Sequence, residues 1–208
     1  YYACGALDFD TTLKTIITRG NAMTAASENK ETAMAAILGC DETTLRSILE
    51  PYASEPVVIA NLNCPGQLVI SGTKSGIDTV IPLIKQTGAK AIPLKVSGAF
   101  HSPLMTPAAT TLTDYCQTIT PNTPSVPIIL NRTAKNEIDP QLLQDNIPKQ
   151  VISSVRWTES IQEMSKQVDE IIECGPGKVL TGLIKKISPD TPIITINNYE
   201  SLIDYINK

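Results

Sequence analysis

Between residues 33 and 95 the chain reads as strand, helix, strand, strand, helix, strand, an order that leaves few ways to fold. Met34 to Leu38 is a strand stopped by Gly39. Asp41 offers an N-cap to the short helix DETTLRSILE, which Pro51 terminates. Val57 to Ala60 is a second strand, Asn63-Cys64-Pro65-Gly66 a turn, and Gln67 to Ser71 the returning strand. Ser75 to Thr87 carries Ile77, Val80, Ile81 and Ile84 on one helical face; Gly88 closes it, and Lys90 to Val96 is the last strand. This is the ferredoxin-like order, a small sheet covered by two helices on one side.

The flanking segments read differently. Asp10 is a helix cap ahead of Leu13, Ile16, Ile17 and Met23, at helical spacing, and that helix ends near Ala26-Ser27. Helices are expected over Pro103–Ile119, Pro140–Lys149, Trp157–Gln167, Val179–Ile187 and Ser201–Ile206, and strands over Val126–Leu130, Glu170–Cys174 and Ile193–Ile196. Strands alternating with helices predict an α/β body with a mostly parallel sheet. Residues 1–30 and 97–208 would form that body, and 31–96 a ferredoxin-like insert. The 208 residues are ample for a hydrophobic core without a metal or disulfide staple.

Composition removes several function classes. Lys and Arg number 17 against 21 Asp and Glu, so no basic excess invites nucleic acid. No run of about 18 apolar residues is present to span a membrane. Five cysteines (Cys4, Cys40, Cys64, Cys116 and Cys174) lie far apart without a CxxC pair, which argues against a disulfide framework or a zinc site and suits thiols in a reducing cytoplasm. His101 is the sole histidine, so an imidazole base, if the chain uses one, is His101.

That histidine sits in Ser97-Gly98-Ala99-Phe100-His101-Ser102-Pro103, a junction between strand and helix. Loops held by a rigid sheet carry catalytic groups disproportionately, whereas a lone histidine is more often structural; these two tendencies roughly balance. Gly175-Pro176-Gly177 before a helix has no Walker spacing and reads as a structural turn.

Further motifs stand in order along the chain: Ala3-Cys4-Gly5-Ala6-Leu7, Arg19-Gly20-Asn21-Ala22-Met23, Ala60-Asn61-Leu62-Asn63-Cys64-Pro65-Gly66-Gln67, Val96 to Ser102, Gln150 with Val155-Arg156-Trp157, and Glu173-Cys174-Gly175-Pro176-Gly177-Lys178-Val179-Leu180. Together they resemble the malonyl-CoA:acyl carrier protein transacylases of bacterial fatty-acid synthesis, and more distantly the acyltransferase domains of polyketide synthases. The resemblance implies transfer of a malonyl group from coenzyme A to the phosphopantetheine thiol of acyl carrier protein through a serine ester. No cofactor or metal is implied, since the coenzyme A thioester is a substrate. His101 matches the family's base, and by position Gln150 supplies the main-chain carbonyl that orients it. Arg19 matches the arginine that pairs with the malonyl carboxylate. Phe100 matches the position where a phenylalanine accompanies malonyl and a serine methylmalonyl. Met23 either lines the same pocket or packs in the core, and Asn61 either positions substrate or holds its turn. Lys178, Lys185 and Lys186 are candidates to receive the acidic carrier protein, or form a solvated helix face.

One part of the family pattern is missing. No serine here stands in a GxSxG context, and the resemblance puts the nucleophile about seven residues before Tyr1. The chain is therefore expected to be the C-terminal two-thirds of such an enzyme, inactive alone, with the N-terminal part of the same enzyme as partner. Two rival readings are a non-catalytic acyltransferase-like scaffold and a serine thioesterase or hydrolase. Retention of Arg19, Phe100, His101 and Gln150 together counts against the first, and Arg19 with the insert against the second.

Overall fold

The computed structural model describes residues 1–52 and 56–207. Helix α1 (Phe9–Ser27) is capped two residues earlier than expected: Asp8, not Asp10, accepts the Thr11 N–H at 2.7 Å. Asp10 falls instead within the first turn, where a carboxylate suits the positive end of the helix dipole. Of the four residues read as its apolar face, only Met23 faces the core. Leu13, Ile16 and Ile17, with Phe9, form one exposed stripe, while Thr15, Ala22, Met23, Ala26 and Ser27 are buried. The 3.6-residue period is real, but it marks two apolar faces, and spacing alone does not say which is covered.

Next come β1 (Thr32–Leu38), α2 (Glu42–Leu49), β2 (Val58–Cys64), β3 (Gln67–Thr73), α3 (Lys74–Gln86) and β4 (Lys90–Pro93). Their strands form one antiparallel sheet in the order β2-β3-β1-β4, which is the strand order of a ferredoxin-like unit. Ile37, Leu45, Ile59, Ile70, Val80 and Ile84 meet in its core. Gly66, at φ +73°, makes the tight β2–β3 turn without a side-chain penalty. The sheet ends at Pro93 rather than Val96, because Pro93 has no N–H to continue the ladder; Leu94 donates one last bond to the Met34 carbonyl, and the chain then leaves for the loop before His101.

The rest comprises α4 (Thr106–Cys116), β5 (Ile128–Ile129), β6 (Asn136–Glu137), α5 (Pro140–Lys149), α6 (Trp157–Met164), β7 (Ile171–Cys174), α7 (Val179–Ile187), β8 (Ile193–Ile196) and α8 (Tyr199–Ile206). The helix expected over 103–119 is divided. Ser102 caps a 3₁₀ turn at Pro103–Met105 before α4, and tighter i→i−3 bonds from Thr118 and Ile119 form its tail. The strand expected over 126–130 shrinks to two residues paired with β6, since Pro127 cannot donate to a ladder. Among the described residues only β7 and β8 pair as parallel strands, and a mostly parallel sheet is not seen. Alternation of strands and helices predicted crossovers; it did not tell which strands lie side by side, and β5 found its partner locally.

α1 packs on α4, and α4 on α5, around Ala22, Met23, Met105, Leu112 and Val151. The five cysteines are free thiols, four of them buried. No helix among the described residues is long and apolar enough to cross a membrane.

Gly72 on β3 tests how closely the sheet is packed. A Cβ there would meet the Pro56 carbonyl and lie 2.9 Å from Val57 Cα, both backbone atoms that cannot turn aside. Gly72→Ala should lower the unfolding free energy by about 1–3 kcal/mol, as overpacked cores do, read by urea denaturation with an unchanged m-value.

Candidate active site around the sole histidine

The loop from Val96 to Pro103 is built by close packing. A Cβ on Gly98 would meet Ser27 Oγ and lie 3.0 Å from Ser27 Cβ, so the loop crosses α1 closely there and any larger residue would displace the Ser27 hydroxyl. Ala99 and Ser102 are fully buried, and Ser102 Oγ donates to the Ala99 carbonyl at 2.6 Å, drawing the loop into a tight turn. His101 stands at φ +57°, in the left-handed region that a residue with a Cβ enters at a cost. Such strain persists where the surroundings enforce it. Here the His101 N–H donates to the Val151 carbonyl at 3.1 Å, fixing the backbone from outside the loop.

The ring is held from one side. Nδ1 lies 3.0 Å from the Gln150 carbonyl oxygen and 3.1 Å from that of Ser153. Two carbonyls can only accept, so Nδ1 carries the proton, and the neutral ring keeps its lone pair on Nε2. No described residue hydrogen-bonds to Nε2. Burial lowers the imidazole pKa below its usual 6.5; the Gln150 carbonyl opposes this, the charge of Arg19 adds to it, and the Ser153 carbonyl opposes it in turn. The net lowering leaves a neutral base near pH 7.

His101 borders a cavity of about 440 Å³ with Arg19, Met23, Met34, Asn61 and Phe100. Arg19 reaches it from α1. Its guanidinium is half-buried, which lowers its pKa, and it pairs with no carboxylate among the described residues. Phe100 packs on Met34, Ala60 and Val69 of the four-stranded sheet and on the Met23–Met105 cluster of the body. A larger cavity of about 770 Å³ lies between α2 and β2, but its one cation, Arg46, is already paired with Glu42 at 2.5 Å. The smaller cavity is the one that combines an open base with an unpaired cation.

All six residues singled out from the sequence meet here. Arg19, Met23, Asn61, Phe100 and His101 line the cavity, and Gln150 contributes its carbonyl. Met23 is at once buried core and cavity wall. Lys178, Lys185 and Lys186 are exposed on or beside α7 and do not line it. The Gly175–Gly177 turn holds no phosphate cradle: Glu173 already accepts the Leu180 and Thr181 N–H groups at 3.1 and 2.8 Å, filling the start of α7. Sequence reasoning missed Met34, whose strand pattern hinted only at a buried face, and the Ser153 carbonyl, which no side-chain chemistry advertises.

A half-buried imidazole with an open Nε2 thus stands in one cavity with an unpaired guanidinium, an arrangement able to move a proton beside a bound anion. Residues 1–189 match the acyl transferase domain family, and the chain belongs to it. It is 41% identical over 204 residues to a malonyl CoA-acyl carrier protein transacylase of Bacillus subtilis, covering 96% of this chain. The crystal structure of an acyl-carrier-protein S-malonyltransferase from Bartonella henselae superposes with a TM-score of 0.93 at 38% identity, over 99% of this chain and 66% of that one. A type II polyketide-synthase acyl-carrier protein in complex with its malonyl-transacylase gives a TM-score of 0.93 at 33% identity, over 98% of this chain and 67% of that one. The chain spans 64% of the length of the Bacillus relative.

The lowered pKa has a consequence for stability. Protonating His101 is harder in the folded chain than in the unfolded one, so its contribution is complete above about pH 6.5 and is lost as pH falls through the folded-state value. Urea unfolding should show stability declining as pH falls below about 6.5, the unfolded-state value, and the decline should be smaller in His101→Gln.

Proposed function

We propose that the chain provides the base and the carboxylate clamp of a malonyl-CoA:acyl carrier protein transacylase. The observation that carries this reading is the shared cavity of Arg19 and His101, with the imidazole locked in the Nδ1–H tautomer. In the first half-reaction, a serine alcohol presented at Nε2 gives up its proton to the ring as its oxygen bonds to the thioester carbonyl carbon. The carbon–sulfur bond then breaks, and the imidazolium returns the proton to the departing coenzyme A thiolate. The second half-reaction repeats these steps in reverse with the phosphopantetheine thiol of acyl carrier protein. The Gln150 and Ser153 carbonyls stabilise the transient imidazolium without exchanging protons themselves.

Arg19 would pair with the free malonyl carboxylate through two parallel N–H bonds. A substrate lacking that group leaves a buried cation unpaired, which penalises it. Phe100 narrows the end of the cavity against branched acyl groups, with Met23 beside it and Asn61 on the facing strand.

The serine belongs, in this reading, to the N-terminal part of the same enzyme, which would also complete a mostly parallel, hydrolase-like sheet in a body of residues 1–30 and 97–208, with 31–96 as the insert. The stripe of Phe9, Leu13, Ile16 and Ile17 supports this, as four large apolar side chains on one exposed helix face make a natural seat for further polypeptide. Lys178, Lys185 and Lys186 form a basic surface suited to an acidic carrier protein. Free thiols fit a cytoplasmic setting.

Two measurements test the reading. In the enzyme assembled with its serine segment, Arg19→Ala should reduce malonyl transfer by roughly 10- to 150-fold, the worth of a charged hydrogen-bonded pair, and acetyl transfer far less; equal losses would remove the clamp. The 208-residue chain alone, mixed with malonyl-CoA, should show no acyl adduct by mass spectrometry, and a stable malonyl ester on one of its own serines would overturn the assignment of the nucleophile.

A further inference from the structure

The imidazole depends on two carbonyls, and they are not equally secure. The Gln150 oxygen already accepts the Ser153 N–H at 3.4 Å, so the ring shares it with a competing backbone donor. The Ser153 oxygen has no such second claim among the described residues, and its direction is set by the peptide plane that joins Ser153 to Ser154. On its Ser153 side that plane is anchored within the body, where Ser153 Oγ donates to the Lys149 carbonyl at 2.7 Å; on its Ser154 side the anchor is the small sheet.

Ser154 Oγ donates to the Ile59 carbonyl on β2 at 2.6 Å, a short bond for a hydroxyl. The next residue continues the link: the Val155 N–H donates to the Ala60 carbonyl at 2.8 Å, and the Leu62 N–H returns a bond to the Val155 carbonyl at 2.9 Å. Asn61 and Val155 thus form a parallel bridge on the free edge of β2. The register of β2 against β3 slips at this point, from Ile59 opposite Ile70 to Asn61 opposite Val69, so Ala60 is the extra residue of a bulge. Bulges re-aim backbone groups, and this one faces residues 154 and 155. Ser154 is the first fixed point after the Ser153 carbonyl.

We propose that Ser154 is a positioning residue for His101: its hydroxyl ties the segment bearing the Gln150 and Ser153 carbonyls to the edge strand of the small sheet, and so fixes the tautomer and direction of the imidazole. This rests on the reading of His101 as the base only for its effect on transfer, since the effect on the ring stands alone. The same tie runs beside Asn61, a wall of the cavity, so the small sheet sets both the substrate wall and the orientation of the base.

The sole histidine gives the test a single signal. ¹⁵N-resolved spectra of the 208-residue chain above pH 7 should show the Nδ1–H tautomer. Ser154→Ala should move the ring resonances toward the Nε2–H form, and Ser154→Thr, which keeps a hydroxyl, should restore them. Thr158→Val is the control: it removes another hydroxyl bond from the body to β2, from Thr158 Oγ1 to the Leu62 carbonyl at 3.0 Å, farther along the chain from the two carbonyls, and should leave the ring unchanged. An unaltered ring in Ser154→Ala, or an equal change in Thr158→Val, overturns the proposal. In the assembled enzyme, Ser154→Ala should lower kcat about tenfold at unchanged KM, as small misplacements of a catalytic group do. A shifted tautomer with undiminished kcat would support the tie while removing His101 as the base.

Discussion

Two main-chain oxygens facing one ring nitrogen are the contact on which the site depends. They decide which nitrogen is protonated, and with that which one is free to accept a proton. A carboxylate in their place would stabilise the imidazolium strongly; the two carbonyls also raise the ring's pKa, but by less than burial and the charge of Arg19 together lower it. Burial then keeps it neutral. The backbone of His101 accepts a left-handed conformation to bring the ring there, and a fully buried serine, the close-packed Gly98 and a bond from the His101 N–H to the Val151 carbonyl hold it in that state.

Arg19 complements this arrangement by being incomplete. The other arginines with ion pairs, Arg46 and Arg156, sit near the surface with carboxylates three or four residues away, where pairing contributes little to stability. Arg19 is more deeply placed and unpaired. A desolvated cation kept without a counter-ion costs the fold something, and a ligand that supplies the missing charge recovers it. The same charge helps to keep the imidazole neutral, so an anion paired with Arg19 would ease protonation of His101.

Much of this was legible in the residues. The ferredoxin-like order followed from short-range signals: Gly39, Gly66 and Gly88 mark the stops, and Ile77, Val80 and Ile84 the helical face. Arg19, Phe100 and His101 could be singled out because a guanidinium, an aromatic ring and a sole imidazole are side-chain features, and the three line one cavity. Ser153 was invisible for the opposite reason, since it acts through a carbonyl that every residue has. The α1 face was misjudged because Ile16 and Ile17 have the period of buried residues while facing solvent, and periodicity reports amphipathicity rather than what covers it. The mostly parallel sheet is not visible among the described residues, where only β7 and β8 pair in parallel; strand adjacency is a property of long-range pairing that local patterns do not contain.

Phe100 has a mechanical consequence. Its ring belongs to two hydrophobic clusters at once, one in the small sheet and one in the body. The two halves cannot swing apart without pulling an aromatic wedge from both. Opening the cleft therefore costs the burial of that side chain, about 1.5–3 kcal/mol.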